Sequence, residues 1–302
     1  MFKIITLNGG GIRSVFTAQL LARIETEAPG FLDSADLIVG TSGGAIVAAA
    51  LARYSAAEVV DIFRNDGAKI FPDDNFIDDI KDLFDLIGAK YPSEPLREVL
   101  VKYLGDLKLG DVKRKTLITA FDLEHESGHW QPVVFHNMGS RKSSPELSLV
   151  DAVMRSTAAP TYFPIERGPA SKFIDGGVWS NNPSAPGLAA AVNRLVGNAD
   201  LKNISMLNVG TMINPMTYDR SKLDLGALDW LKSGLIDILL DGSMESSVYI
   251  AKSMLGPNFH RLEKMSPDTI SLDDSKKIQR LVDEANSVSL SDTLSWLQGF
   301  WV

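Results

Sequence analysis

The chain has 302 residues, enough to bury a sizeable core as one α/β domain. It contains no cysteine, which excludes disulfides, thiolate metal or iron–sulfur sites and a cysteine nucleophile, and its net charge of −8 argues against tight nonspecific binding of nucleic acid or anionic headgroups. No stretch reaches the roughly eighteen apolar residues of a membrane span, and the N-terminus lacks a secretory-signal pattern. The expected setting is cytoplasmic, with any lipid contact peripheral.

In chain order, short β-rich runs alternate with helical patterns. Strands are expected at Phe2–Leu7, Leu37–Val39, Thr116–Phe121, Val133–Phe135, Lys172–Ile174 and Ile204–Val209. Helices are expected at Val15–Ala28, Gly44–Arg53, Ala56–Asn65, Glu94–Tyr103, Ser148–Arg155 and Pro183–Leu195, with Ser93 and Asn182 as candidate starts. This alternation predicts a three-layer α/β fold, a largely parallel central sheet with helices on both faces. Residues 66–95 read as a surface insertion, with a mobile cover as the sharper alternative. Past about residue 220 the pattern turns helical. The simplest organisation is one domain over 1–302, a core at 1–210 carrying a helical C-terminal portion at 211–302.

Three small motifs carry the chemistry. Gly9-Gly10-Gly11 follows the first strand and leaves backbone N–H groups unshielded ahead of a helix. It suits an oxyanion hole; a phosphate loop fits less well, because Ser14 stands where G-x-G-x-x-G needs glycine and no G-K-[ST] is present. A purely structural turn is the third option. Gly40-Thr41-Ser42-Gly43-Gly44 then follows the strand Leu37–Val39 and precedes a helix, the setting in which G-x-S-x-G exposes a nucleophilic serine. The plainer reading of Ser42 is a capping serine in a βα turn. Finally, Asp175-Gly176-Gly177 ends a short apolar strand, and, if the strands run parallel, lies near the same sheet edge as Ser42. Asp175 is then either the base for Ser42, the orienter of a histidine, or an Asx-turn residue. Of the histidines, His125 and His129 lie in a polar loop, His136 follows a strand, and the order Ser42, Asp175, His260 is that of an α/β-hydrolase triad.

Asn8-Gly9-Gly10-Gly11-Ile12-Arg13, Gly40–Gly44, Ser156–Phe163, Asp175–Gly177 and Asn181-Asn182-Pro183 together resemble the patatin-like phospholipase family over about residues 1–210. The family usually has Asp where Asn8 stands and Gly where Ser14 stands. The resemblance implies a Ser42–Asp175 dyad without histidine, an oxyanion hole from Gly9–Gly11, no metal or other cofactor, and phospholipid or other acyl-lipid substrates. Gly40, Gly43, Gly176 and Gly177 support the turns, and Arg13 is expected to hold the loop. Candidate lipid contacts are Phe71, Phe76 and Phe84, the Leu235–Leu240 segment and Leu294–Trp301, each with core packing as the plainer reading. An oligomer or an activating partner is compatible with the sequence but not identified by it.

Overall fold

The computed structural model describes residues 1–72, 88–139, 144–215 and 235–301, with 224, 226, 229 and 230 between; of 235–237 it describes the backbone. Phe76 and Phe84 lie outside the described residues.

The elements run β1 (Phe2–Leu7), α1 (Ser14–Glu27), β2 (Leu37–Gly40), α2 (Gly43–Ala50), α3 (Ala56–Ile70), α4 (Glu94–Leu104), β3 (Lys115–Asp122) and β4 (Gln131–His136). They continue through α5 (Leu149–Thr157), β5 (Glu166–Arg167), β6 (Lys172–Asp175), α6 (Gly177–Ser180), α7 (Ser184–Val192), β7 (Ile204–Val209), α8 (Leu235–Leu255), β8 (Phe259–Leu262), α9 (Ile278–Asn286) and α10 (Ser291–Phe300). Every strand and helix expected up to Val209 is present, all but one within three residues of its expected limits. The helix from Ala56 runs on to Ile70, so the first residues of the expected 66–95 insertion are helical, and 73–87 of it lie outside the described residues. Its start is a capping box, Ser55 Oγ accepting from the Glu58 N–H while the Glu58 carboxylate accepts from the Ser55 N–H.

The strands form one eight-stranded sheet in the order β5-β6-β3-β2-β1-β7-β8, with β4 also on β3. Its centre is parallel: β1 pairs with β2 and β7, β2 with β3, and β7 with β8. Side chains alternate between two cores, as a strand's period of two requires. From β1, Ile5 and Leu7 enter the larger core with α1, α2, α3 and α9. Ile4, with Leu37, Val39 and Met206, packs on the opposite face against Leu188 of α7 and Ala251 of α8. Three layers result.

Two features depart from expectation. The C-terminal portion is not wholly helical, because β8 adds a parallel edge strand in register with Met206–Val209. The sheet is also not parallel where Asp175 lies. One edge of β3 is taken by β4 along Leu117–Asp122, so β2 and β6 must share the other. On that edge Gly40 of β2 pairs with Ile118, and Asp175 of antiparallel β6 pairs with Ala120, two residues further on. β6 thus occupies the edge that β2 vacates at its turn, and its final residue arrives at Ser42 from the opposite direction.

Candidate active site

β2 ends in a bend that the local sequence forces. A Cβ on Gly40 would lie 2.5 Å from the Gly44 carbonyl oxygen, and one on Gly44 would lie 2.3 Å from that of Leu7, so the strand and helix approach this closely only through glycine. At the apex Ser42 has φ 53° and ψ −124°, a region that residues with a Cβ rarely occupy. The surroundings hold it there. The Ser42 N–H donates to Ser156 Oγ at 2.9 Å, and Thr41 Oγ1 donates to the Ser180 carbonyl at 2.8 Å. Ser156 is fully buried on α5 and is a residue for which the sequence suggested no role; membership in the Ser156–Phe163 block was its only signal.

The Ser42 hydroxyl donates to Asp175 Oδ2 at 2.6 Å. Asp175 Oδ1 accepts from the Gly177 N–H at 2.6 Å, so the Asx-turn expected at Asp-Gly-Gly is present and leaves the other oxygen for the serine. The Asp175 N–H donates to the Ala158 carbonyl and the Gly176 N–H to that of Ser156, fixing the carboxylate from behind. Only 5% of Asp175 is exposed. Burial pushes its carboxyl up to about 6, against the pull of the Ser42 and Gly177 hydrogen bonds.

The glycine loop faces the same point, with a division of labour that the sequence did not show. The Gly9 N–H is spent on the Asn181 carbonyl at 2.8 Å. Among the described residues no acceptor takes the N–H of Gly10 or Gly11, and the Gly43 N–H opens α2, where helical N–H groups lack internal partners. The Arg13 N–H closes the turn onto the Gly10 carbonyl, while the Arg13 side chain lines the cavity. Beneath the loop lies a buried amide chain. Asn208 Nδ2 donates to Asn8 Oδ1 at 2.7 Å, Asn182 Nδ2 donates to Asn208 Oδ1 at 3.0 Å, and the Ser184 N–H donates to Asn182 Oδ1 at 2.9 Å. Asn8 also donates to the Met244 sulfur at 3.5 Å, which a carboxylate at this position would be unable to do. Ser14 is buried at the head of α1, its Oγ only 2.3 Å from where a Cβ on Gly43 would sit.

Ser42 and Asp175 open into a cavity of about 1120 Å³, part of it solvent. Its walls are mainly apolar and include Ile46, Phe63, Ile70, Phe71, Leu96 and Phe163. The C-terminal portion contributes Leu240, Asp241 and Leu272. Leu272 does more than line it: its carbonyl accepts the Ile12 N–H at 2.8 Å, and a Cβ on Gly11 (φ +54°) would lie 2.2 Å from that oxygen. Lys90 and the Tyr91 hydroxyl both donate to Asp273 at 2.6 and 2.9 Å, tying this segment to the residues that precede α4.

None of the four histidines lines the cavity. His260 lies on edge strand β8, stacks on Trp296 with centroids 5.3 Å apart and shares a hydrogen bond with Thr293 Oγ1. The proposed lipid contacts divide. Trp296, Leu297 and Trp301 are buried and belong to the core, whereas Phe71 packs against Tyr91 and Phe163 and also lines the cavity at Ser42. Ile238 and Leu239 are exposed on α8, whose next residue, Leu240, lines the cavity.

Comparison with known proteins gives a consistent result. Residues 5–186 match the family model described as "Patatin-like phospholipase". A protein named "cGAMP-activated phospholipase" from Vibrio cholerae serotype O1 is 32% identical over 97% of this chain and 88% of its own length. Another of that name from Pseudomonas aeruginosa is 29% identical over 97% of this chain and 85% of its length. Among solved structures, human GIVD cytosolic phospholipase A2 aligns over 98% of this chain and 60% of that one, with 12% identity and a TM-score of 0.46, too distant to bear on the chemistry.

Proposed function

The chain belongs to the patatin-like phospholipase family, and from that premise we propose that it is a lipid acyl hydrolase acting through a Ser42–Asp175 dyad. The observation that carries this reading is the 2.6 Å hydrogen bond from Ser42 to a buried carboxylate, made inside an apolar cavity beside unspent glycine amides. Serine is a weak nucleophile until its proton has somewhere to go. With its carboxyl pushed up to about 6, Asp175 is a better proton acceptor than an ordinary aspartate and is still ionised at neutral pH.

In the proposed cycle Asp175 takes the Ser42 proton as Oγ attacks the ester carbonyl. The Gly10 and Gly11 amides, with Gly43, receive the oxyanion, placing donors where charge develops. Collapse expels the alcohol, which takes the proton from Asp175. Water then attacks the acyl-enzyme with Asp175 again as base, releasing a fatty acid and restoring Ser42. His260, held by Thr293 and Trp296, has no part in it.

The test is release of fatty acid from phospholipids, lysophospholipids and mono- and triacylglycerols, by wild type and by Ser42→Ala. Because both relatives described above carry "cGAMP-activated" in their names, each substrate is assayed with and without cGAMP. Activity in either condition, lost in Ser42→Ala, supports the reading. Silence in both conditions, or equal activity in folded Ser42→Ala, overturns it.

A further inference from the structure

The Gly10 and Gly11 amides must be aimed before they can serve an oxyanion, and glycine does not aim itself. It has more backbone freedom than any other residue, and a donor stabilises developing charge only when it is already in place. Two neighbours confine Gly11. A Cβ on Gly43 would lie 2.6 and 3.0 Å from the Gly11 carbonyl oxygen and nitrogen, so the start of α2 abuts it. Leu272 is the second: its carbonyl accepts the Ile12 N–H at 2.8 Å and leaves no room for a Cβ on Gly11. That hydrogen bond fixes the peptide plane that follows Gly11.

Leu272 belongs to no helix or strand, so the loop around it needs anchors of its own. Two flank it. Asn214 accepts the Ile270 N–H on Oδ1 and donates from Nδ2 to the Ile270 carbonyl, both at 3.0 Å. On the other flank the Asp273 carboxylate accepts from Lys90 Nζ at 2.6 Å, from the Tyr91 hydroxyl at 2.9 Å and from Ser271 Oγ. Burial alone would raise this carboxyl, but the bonds from Lys90, Ser271 and Tyr91 outweigh it and hold the group below the usual carboxylate range. Lys90 and Tyr91 are fixed in turn, their N–H groups donating to the carbonyls of Thr161 and Tyr162 at 2.9 and 2.8 Å. A line of contacts therefore runs from Lys90 and Tyr91 through Asp273 and Leu272 to Gly11.

Resting on the ester hydrolysis proposed for Ser42, we propose that Asp273 is a positioning residue for the oxyanion hole. Its ion pair with Lys90 holds the Leu272 carbonyl against Gly11 and so aims the loop amides at the reacting carbonyl oxygen. Asp273 does not itself line the cavity; it acts through Leu272. Without it Leu272 can shift, and a displacement of about 1 Å at a group that serves the transition state costs on the order of a hundredfold in rate.

The test compares Asp273→Ala and Lys90→Met with wild type, the second cutting the same ion pair from its more exposed end should the first fail to fold. kcat is expected to fall about ten- to a hundredfold in Asp273→Ala and about three- to tenfold in Lys90→Met, with KM little changed. An alkyl trifluoromethyl ketone, which adds to serine as a charged hemiketal, should lose affinity in parallel with kcat, while the matching methyl ketone should not. A further readout needs no catalysis: deuterium exchange at the Ile12 amide should quicken at least about tenfold in both variants, with β1 and β7 unchanged. An unchanged kcat in folded variants overturns the positioning role while leaving the dyad standing, whatever the exchange shows. Equal weakening of both ketones marks a general loosening of the cavity and overturns it too. Wild type that hydrolyses no ester overturns the reading of Ser42; unchanged Ile12 exchange then overturns the link to Gly11 as well, and quickened exchange upholds that link.

Discussion

Asp175→Asn separates the chemical role of this residue from its structural one. Asparagine has the same shape and retains both local bonds: its Oδ1 accepts from Gly177, and its amide donates to Ser42 in place of accepting. What disappears is a charge in a buried site. Because the native carboxyl is pushed up to about 6 from an ordinary 3.8, the folded state holds its proton more tightly than the unfolded state. Wild-type stability therefore falls as pH rises from about 4 to about 6, and above that carries a constant penalty of about 3 kcal/mol. Asp175→Asn should remove it. Urea midpoints should show the variant more stable than wild type by up to about 3 kcal/mol at pH 8, and by about half that at pH 5. Ester hydrolysis should vanish over the same range. A variant less stable than wild type at pH 8, or a stability gap that does not change with pH, would refute the buried-charge reasoning.

The same carboxyl predicts an acid limb in kcat/KM, with activity falling tenfold per pH unit below about 6; a limb centred near 4 contradicts the desolvation of Asp175. Ser156→Ala strands the N–H of the strained Ser42 turn, so kcat should drop about ten- to a hundredfold with KM little changed and stability lower by about 1–3 kcal/mol; an unaltered kcat removes Ser156 as a positioning residue. His260→Ala should unstack Trp296 and lower stability while folded protein keeps its kcat; loss of activity in folded variant brings back the Ser42–Asp175–His260 triad.

What the sequence made legible follows from how local each constraint is. β1 and β7 are buried on both faces, so their apolar runs announce them, and the Ser42 bend depends on glycines within five residues. Asp175 was recognisable from Gly176 and Gly177, but the direction of its strand was not. That direction is decided by β2 ending at Gly40 and leaving an edge of β3 open, a fact about three strands spread between Leu37 and Asp175. β8 escaped notice because Phe-His-Arg-Leu at a sheet edge is half-exposed and neither alternates cleanly nor runs apolar; its pairing with β7 makes it a strand. The three loop glycines look equivalent in sequence, yet Asn181 takes the Gly9 amide from 172 residues away. The contribution of Leu272 to the loop is equally distant and leaves no local pattern.

The most direct test of the whole reading is covalent capture with an alkyl fluorophosphonate, followed by peptide mass spectrometry on wild type, Asp175→Asn and His260→Ala. The Ser42–Asp175 geometry predicts a single adduct on Ser42, formed at the wild-type rate in His260→Ala and at least a hundredfold more slowly in Asp175→Asn. An adduct on any other residue, or labelling of Ser42 that is indifferent to Asp175 and abolished without His260, contradicts it.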